Sequence, residues 1–381
     1  MDFPEHLAAH EFGSLGERLG ALHRQLLADV PQVDRIGCAL YDPDDDLLKT
    51  FVHSTLAGEA LHGYEYRLSA SRSLLDLARR GSPRLLPDIP AALDPRNAHS
   101  LWLIEEGYRT SLTIPMYGQG AFTGILFFDS RQLNAFSGSQ QRHLELFANL
   151  VSLLIAGELL TIRALAGSVD IARAFCDLRD FETGTHLERM SRYARIAAKE
   201  LAPDRGLTDE FVELVFLFAP LHDVGKIGIP DHILLRPGPL AGAEWETMKT
   251  HVDCGSAVLD KMITDLSLRE LPHVTLLRNI VAYHHEFLDG SGYPKGARGD
   301  AIPLEARIVT AADVLDALTS PRPYKPAWPL DQAFAELDRM AAAGKLDAAV
   351  VAALKRRGDE VRAVQEHYAN DRKPRTPPKS S

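Results

Sequence analysis

Cysteine is scarce in this chain. Cys38, Cys176 and Cys254 are odd in number and far apart, and no Cys-x-x-Cys pair occurs. That argues against a disulfide framework, thiolate zinc sites and dithiol redox chemistry, and leaves the three as small buried hydrophobes. Long apolar runs are missing as well. No uninterrupted stretch approaches the roughly 18 to 20 residues that span a bilayer. The opening Met-Asp-Phe-Pro-Glu lacks the basic and apolar regions of a leader, so the expectation is a cytoplasmic protein with no membrane partner. Positive charge is in deficit: 42 Lys and Arg face 52 Asp and Glu, a net charge of −10 at pH 7. A protein that grips duplex nucleic acid needs a broad basic surface, so that partner is not expected. An anionic small molecule would need local positive charge, most cheaply from bound metal ions.

What is present suits two domains and a connector. The chain has 381 residues, too many for one typical core, and its 45% hydrophobic and 25% charged residues are ordinary for a globular protein. Leu7, Leu15, Leu19, Leu22, Leu26 and Leu27 lie near helical spacing and predict a helix over residues 1 to about 30. From Ile36 to His53, short apolar stretches flank Asp42-Pro-Asp-Asp-Asp46, a turn between two strands. A helical piece from Ser73 to Arg80 and a Pro-rich loop from Pro83 to Pro95 follow. Ser111–Met116 and Thr123–Phe128, joined by Gly118-Gln119-Gly120, read as two more strands. This order is an antiparallel sheet flanked by helices. With the wording SLTIPMYGQGAFTGILFFDS ahead of a long helix, it resembles a GAF domain over roughly residues 15 to 155. The resemblance implies a sensor domain, an α+β fold at residues 1–155 with its N-terminal helix, that takes a small ligand or dimerises. Nothing in the sequence identifies that ligand.

From Ser139 to about Phe175, Leu144, Phe147, Leu150, Val151, Leu154, Ile155, Leu159, Ile162 and Leu165 keep a helical period. So long a helix, 139–175, is expected to connect the domains and to pair with its copy in a homodimer. A helix packed wholly within one chain is the alternative. Beyond it the chain reads as helical to about Tyr368, and the Pro/Lys/Ser-rich end (369–381) as a disordered tail.

The chemistry concentrates in this helical half. Glu182 and His186 stand at i and i+4, on one helix face, although such a pair alone is commonly solvated surface. His222-Asp223 follows the apolar stretch VFLFAPL, where a buried charged pair is costly unless partners or a metal neutralise it. Lys226 lies a turn later and can neutralise phosphate charge. His251 comes next, then the doublet His284-His285. Successive helical residues point about 100° apart, so the two imidazoles suit two metals better than one. Asp313 ends an apolar run and as a buried acid needs a cation or donors.

These segments, with His222-Asp223, Gly292-Tyr293-Pro294 and VGKIGIPDHILLRPGPL, resemble the HD-GYP phosphodiesterases, a subgroup of the HD superfamily, over residues 165–368. The resemblance implies an all-α helical bundle with an internal metal centre and cyclic di-GMP as substrate, hydrolysed to pGpG or GMP by a metal-bridging hydroxide. Position by position it implies His186, His222, Asp223, His251, His284, His285 and Asp313 as metal ligands. Glu182 matches an acidic residue that supports a third ion in some members, so three ions are favoured over two. Asp223 and Lys226 carry the catalytic expectation, while Lys226, Arg322 and Lys325 match phosphate-holding cations and Gly292 and Tyr293 line the cleft. Imidazole and carboxylate donors without thiolate suit iron first and manganese second. A non-catalytic dinucleotide receptor and a phosphodiesterase for cyclic GMP-AMP are the alternatives.

Overall fold

The structure, a computed structural model, describes residues 13–118, 120–177, 184–236, 238–265, 273–320 and 327–370. Glu182, Arg322, Lys325, Leu7 and the tail from residue 371 lie outside the described residues. The chain divides into two compact units at Thr161/Ile162, with Thr208–Glu210 grouped with the first.

The N-terminal unit starts with helix α1 (Leu15–Leu26). The helix begins there because Ser14 and Glu17 form a capping box, each side chain bonding the other's backbone amide. Strands β1 (Arg35–Asp42) and β2 (Leu47–Thr55) meet at the acidic turn as expected. After β3 (Glu65–Arg67) come α2 (Arg72–Arg80), β4 (Arg84–Leu86), α3 (Ile89–Ala92) and α4 (Ala98–Glu105). The strands β5 (Thr110–Gly118) and β6 (Ala121–Ser130) close one sheet of order β3-β2-β1-β6-β5-β4, antiparallel throughout. This is the expected α+β architecture. Two details differ from the sequence reading: the stretch 83–95 is not all loop but contributes the edge strand β4, and β3 adds the opposite edge. Both strands have three residues, too few to show a period of two.

Helix α5 (Gly138–Asp177) follows. Leu144, Phe147, Ala148, Val151 and Ile155 are buried, and the Phe147 ring meets Phe128 of β6 edge-on at 6.1 Å. Its other face exposes Leu146, Leu150, Leu153 and Leu160. The segment Gly138–Ile162 is long and apolar enough, by length and composition alone, to cross a membrane. One face of it packs on the sheet and the other is an exposed apolar stripe.

The second unit is an all-helical bundle: α6 (Gly184–Arg205), α7 (Asp209–Phe218), α8 (Asp231–Leu234), α9 (Ala243–Lys249), α10 (His251–Asp265), α11 (Val274–Tyr283), α12 (Leu304–Thr319), α13 (Leu330–Ala342), α14 (Ala348–Arg356) and α15 (Gly358–Asn370). One continuous core joins them, with Met190, Tyr193, Val215, Leu277, Ile280, Ile308, Leu315 and Val350 among its most enclosed members. Between α7 and α8 the chain tightens into 3-10 turns at Ala219–Leu221 and Val224–Gly228. His222 and Asp223 sit between those turns, so their side chains are delivered by a compact knot rather than a regular helix.

Candidate metal centre

Two glycines let the site assemble. At Gly225 an added Cβ would fall 1.8 Å from the His251 carbonyl oxygen and 2.3 Å from the Gly255 amide nitrogen. The His222-Asp223 turn can therefore lie against α10, beside His251, only because residue 225 has no side chain. At Gly292 a Cβ would come within 2.4 Å of the His285 carbonyl oxygen and the Phe287 amide nitrogen. Close approach there folds the following loop back over the His284-His285 doublet, where the Tyr293 amide donates to the His285 carbonyl at 3.1 Å.

The imidazoles are oriented from behind. His222 Nδ1 bonds the Ala219 carbonyl at 2.7 Å, His251 Nδ1 the Met248 carbonyl at 2.8 Å, and His284 Nδ1 the Val281 carbonyl at 3.0 Å. A carbonyl only accepts, so each Nδ1 must carry the proton and each Nε2 presents a lone pair. Those lone pairs converge. His222 Nε2 lies 3.2 Å from Asp223 Oδ2, while His251 Nε2 and His284 Nε2 lie 3.2 and 3.5 Å from Asp223 Oδ1. His251 Nε2 and His284 Nε2 are 3.3 Å apart. Nitrogen lone pairs facing one another and a carboxylate are a repulsive arrangement unless a cation stands among them. His222 Nε2 and Asp223 Oδ1 are buried without a hydrogen-bond partner, which is the signature of donors awaiting an ion. The donor set therefore fits a metal.

The described ligands form two adjoining groups, Asp223, His251, His284 and His285, and His186, His222 and Asp313, whose donor atoms within each group lie within 4.8 Å of one another. Asp223 faces both, with one oxygen toward each. In the second group His186 Nε2 is 3.9 Å from Asp313 Oδ1. Lys226 reaches Asp223 Oδ2 at 2.8 Å, so its ammonium stands at the edge of the cluster. The Tyr293 ring packs on His285 with centroids 4.7 Å apart and meets Trp245 at 6.0 Å. The structure thus brings together ten of the thirteen candidate residues, and the other three fall outside the described residues.

The electrostatics follow from crowding. Burial opposes charge on His222, but Asp223 and Asp313 outweigh it and hold that imidazole up at about 9. The acids around His222 thus make its site one that attracts positive charge, and a cation bound at Nε2 would take the place of a proton there. Burial also works against the Asp223 carboxylate, yet Lys226 and His222 keep it well below the usual carboxylate range. His284 and His285 are pushed down, first by burial and then by neighbouring imidazoles.

Three positioning groups were not picked out from the sequence. Asp316 is fully buried one turn beyond Asp313; its Oδ2 accepts from His186 Nδ1 at 2.5 Å, and both its oxygens accept from Arg189 at 2.6 and 2.9 Å. The same argument that marks Asp313, an acid within an apolar helix, marks Asp316 too. Glu286 is buried and accepts from the backbone amides of Lys295 and Ala297 at 2.7 and 3.0 Å, pinning the loop that carries Gly292 and Tyr293. Thr310 Oγ1 lies 2.8 Å from the His284 carbonyl, tying α12 to the doublet.

This fold and donor set define an antiparallel α+β domain followed by a helical bundle whose histidines and carboxylates are arranged to hold a metal. Residues 15–156 match the GAF domain family and residues 182–350 the HD domain family, so the chain carries a GAF domain followed by an HD domain. It is homologous to cyclic di-GMP phosphodiesterases of the HD-GYP kind. It is 48% identical over 167 residues to the cyclic di-GMP phosphodiesterase response regulator RpfG of Xanthomonas campestris pv. campestris, covering 44% of this chain and 41% of that one. A cyclic di-GMP phosphodiesterase of Vibrio cholerae serotype O1 is 36% identical over 250 residues, covering 61% of this chain and 50% of that one. The 3'3'-cGAMP-specific phosphodiesterase 2 of the same organism is 42% identical over 161 residues, covering 42% and 29%. The chain spans half or less of the length of these relatives.

Proposed function

We propose that the chain is a metal-dependent phosphodiesterase that hydrolyses cyclic di-GMP to pGpG, GMP or both. The observation that carries this reading is the convergence on Asp223 of three imidazole Nε2 atoms whose Nδ1 atoms are all committed to backbone carbonyls. Relatives named cyclic di-GMP phosphodiesterases support the substrate. In this reading Asp223, His251, His284 and His285 hold one ion, and His186, His222 and Asp313 a second, with Asp223 shared. Glu182 supplies a ligand for a third. Nitrogen and oxygen donors favour iron, then manganese. Bound ions supply Lewis acidity and an activated water.

The chain's own residues do the positioning. Backbone carbonyls fix the imidazole rings, Asp316 fixes His186, and Lys226 turns its charge from Asp223 toward a phosphate oxygen. Arg322 and Lys325 hold the remaining phosphate charge, a task suited to a planar guanidinium fork beside a point charge. Gly292 lets its loop pack on the His285–Phe287 backbone and so line the cleft, and the Tyr293 ring forms a wall of it.

The proposal extends to the rest of the chain: a sensor domain at 1–155, a connecting helix at 139–175, a phosphodiesterase domain at 165–368 and a tail at 369–381, in the cytoplasm. The sensor takes a small ligand and alters access to the metals through α5. The leucines at 146, 150, 153 and 160 follow a four-three-seven spacing, the seam of a helix pair, and support a homodimer. Replacing Leu150 and Leu153 together by Glu is expected to convert a dimer to a monomer by light scattering; an unchanged mass would overturn that contact.

A second substrate reading is favoured by one observation: a cGAMP-specific relative is 42% identical, close to the 48% of RpfG. Turnover of cyclic di-GMP and 3'3'-cGAMP by the iron- or manganese-loaded chain, followed by chromatography of products, separates the two. No product from either dinucleotide would sink the enzyme assignment.

A further inference from the structure

The N-terminal unit encloses a cavity of about 190 Å³ between one face of its sheet and the chain from α2 to α4. About half of its lining is apolar or aromatic, among it Leu48, Leu74, Leu86, Leu103, Tyr64 and Phe127, and the rest is polar, with several hydroxyls. Arg84 also lines it, from the edge strand β4. This arginine is unusual for a half-buried cation. Its Nη1 bonds Ser73 Oγ at 2.8 Å and its Nη2 lies 3.4 Å from Thr113 Oγ1, both neutral hydroxyls. Its Nε is buried without a partner. Among the described residues no carboxylate pairs with it, and burial alone pulls its pKa down. Leaving a guanidinium half-desolvated without an anion is costly.

The other charged groups on the cavity have charged partners, although Arg35 Nε, like Arg84 Nε, is buried without a hydrogen bond. Arg35 pairs with Asp129 at 2.5 Å. Asp94 is exposed and held by both Nε and Nη2 of Arg96. His99 adds no second charge, because burial, followed by Arg35 and Arg84, holds it down at about 3. The cavity therefore offers one positive charge without an anionic partner among the described residues, inside a shell of apolar, aromatic and hydroxyl groups, in a chain whose net charge is −10. Size narrows the ligand further. A dry cavity of about 150 Å³ accommodates a benzene ring, and one water occupies about 30 Å³ in the liquid. The space here suits a six-membered ring with one small charged substituent.

We propose that this cavity binds a small aromatic carboxylate of about the size of benzoate or phenylacetate, with the carboxylate on Arg84 and the ring against the aromatic wall. The guanidinium fork matches a carboxylate in two parallel hydrogen bonds, and the Ser73 and Thr113 hydroxyls hold it in place. This rests on reading the N-terminal unit as a ligand sensor and names the chemistry that the sensor reads. It does not depend on hydrolysis by the bundle.

The test is calorimetric titration of the full chain with benzoate, phenylacetate and their neutral amides, benzamide and phenylacetamide. At least one carboxylate is expected to bind saturably and at least about tenfold more tightly than its amide, the advantage of a charge-assisted hydrogen bond over a neutral one. Arg84→Gln is expected to erase that preference, and Leu74→Trp, which puts a larger ring into the cavity while keeping the arginine, to abolish binding. Circular dichroism confirms that each variant is folded. Equal binding of acid and amide, or an undiminished preference in folded Arg84→Gln, would overturn the anion assignment and leave the sensor reading standing. Undiminished binding by folded Leu74→Trp would overturn this cavity as the site. Failure of all four probes to bind at up to about 10 mM would overturn the ligand class and leave the sensor reading standing.

Discussion

Each unit gathers histidines, and only one gathering has the makings of a metal site. In the N-terminal unit His53 and His62 meet at 4.9 Å between ring centroids, and His99 packs against Tyr64 and Phe127. Burial, then His62 and Arg35, hold His53 down at about 4. The charges that act on His53 and His99 are cations, and the rings serve as neutral wall. In the bundle His222, His251 and His284 are more deeply buried, their Nδ1 atoms are tethered to carbonyls and their Nε2 atoms aim at one carboxylate. Proximity of imidazoles alone does not make a ligand set. A shared anion and committed outer nitrogens do.

The largest expected difference between the two groups is in turnover. His222→Ala should lower dinucleotide hydrolysis by more than about 100-fold and reduce metal per chain, since even groups that merely orient ligands are worth 10- to 100-fold. His53→Ala should leave both measurements unchanged. Full activity with normal iron or manganese content in His222→Ala would end the distinction.

Asp316 sharpens it. If the carboxylate acts by fixing His186, Asp316→Asn should weaken metal affinity by about 10- to 100-fold, read by competition with a coloured chelator. The same change also unbalances the buried Arg189 ion pair and should cost stability. A loss of stability with unaltered metal affinity would reduce Asp316 to a packing role.

Chelation should act on one unit only. The ligands come from segments more than 100 residues apart, so ions bound to the folded bundle stabilise it by about 2.7 kcal/mol at a hundredfold excess over Kd. For a domain of this size that is a fall of about 5–10 °C in Tm on removal. Hydrogen exchange resolved by peptide should show bundle segments opening faster while β1, β5 and β6 keep their protection. Equal loosening of both units would mean that the metals are not confined to the bundle.

Much of the bundle's chemistry was legible because it is carried by single side chains of unmistakable type. His222-Asp223 after an apolar run and the His284-His285 doublet announce themselves wherever they fold. Asp316 and Glu286 were equally visible as letters, but their roles depend on which backbone atoms and imidazoles they face, which spacing does not encode. The sheet was legible where strands have eight or more residues, as in β1, β2, β5 and β6, and illegible in β3 and β4. Arg84 shows the consequence: inside a Pro-rich stretch it reads as loop, and only the pairing of β4 with β5, with Arg84 opposite Thr113, turns it into the cavity. The long helix α5 was readable as a period, and its exposed leucine stripe came out only when the sheet claimed the other face.

Acid separates the two histidine groups by the smallest and most specific effect. His53 and His99 have folded-state pKa values of about 4 and about 3, below the roughly 6.5 of an unfolded histidine. The unfolded chain therefore takes up more protons on acidification. The stability contributed by these two neutral rings is complete above about pH 6.5 and is lost as pH falls toward 4 and then 3. The loss is at most about 1.4 kcal/mol per pH unit for each ring. Partial exposure lessens that slope, so about 1 kcal/mol per unit for the pair is expected. Hydrogen exchange of the β1 and β6 amides at pH 7 and pH 5 measures it, each corrected for intrinsic rate. His99→Phe keeps an aromatic wall without a titrating group and should flatten the acid slope. If the variant weakens with acid as steeply as the parent chain, the buried imidazole is not the origin of the effect, and the contrast between a neutral wall and a ligand set loses its thermodynamic support.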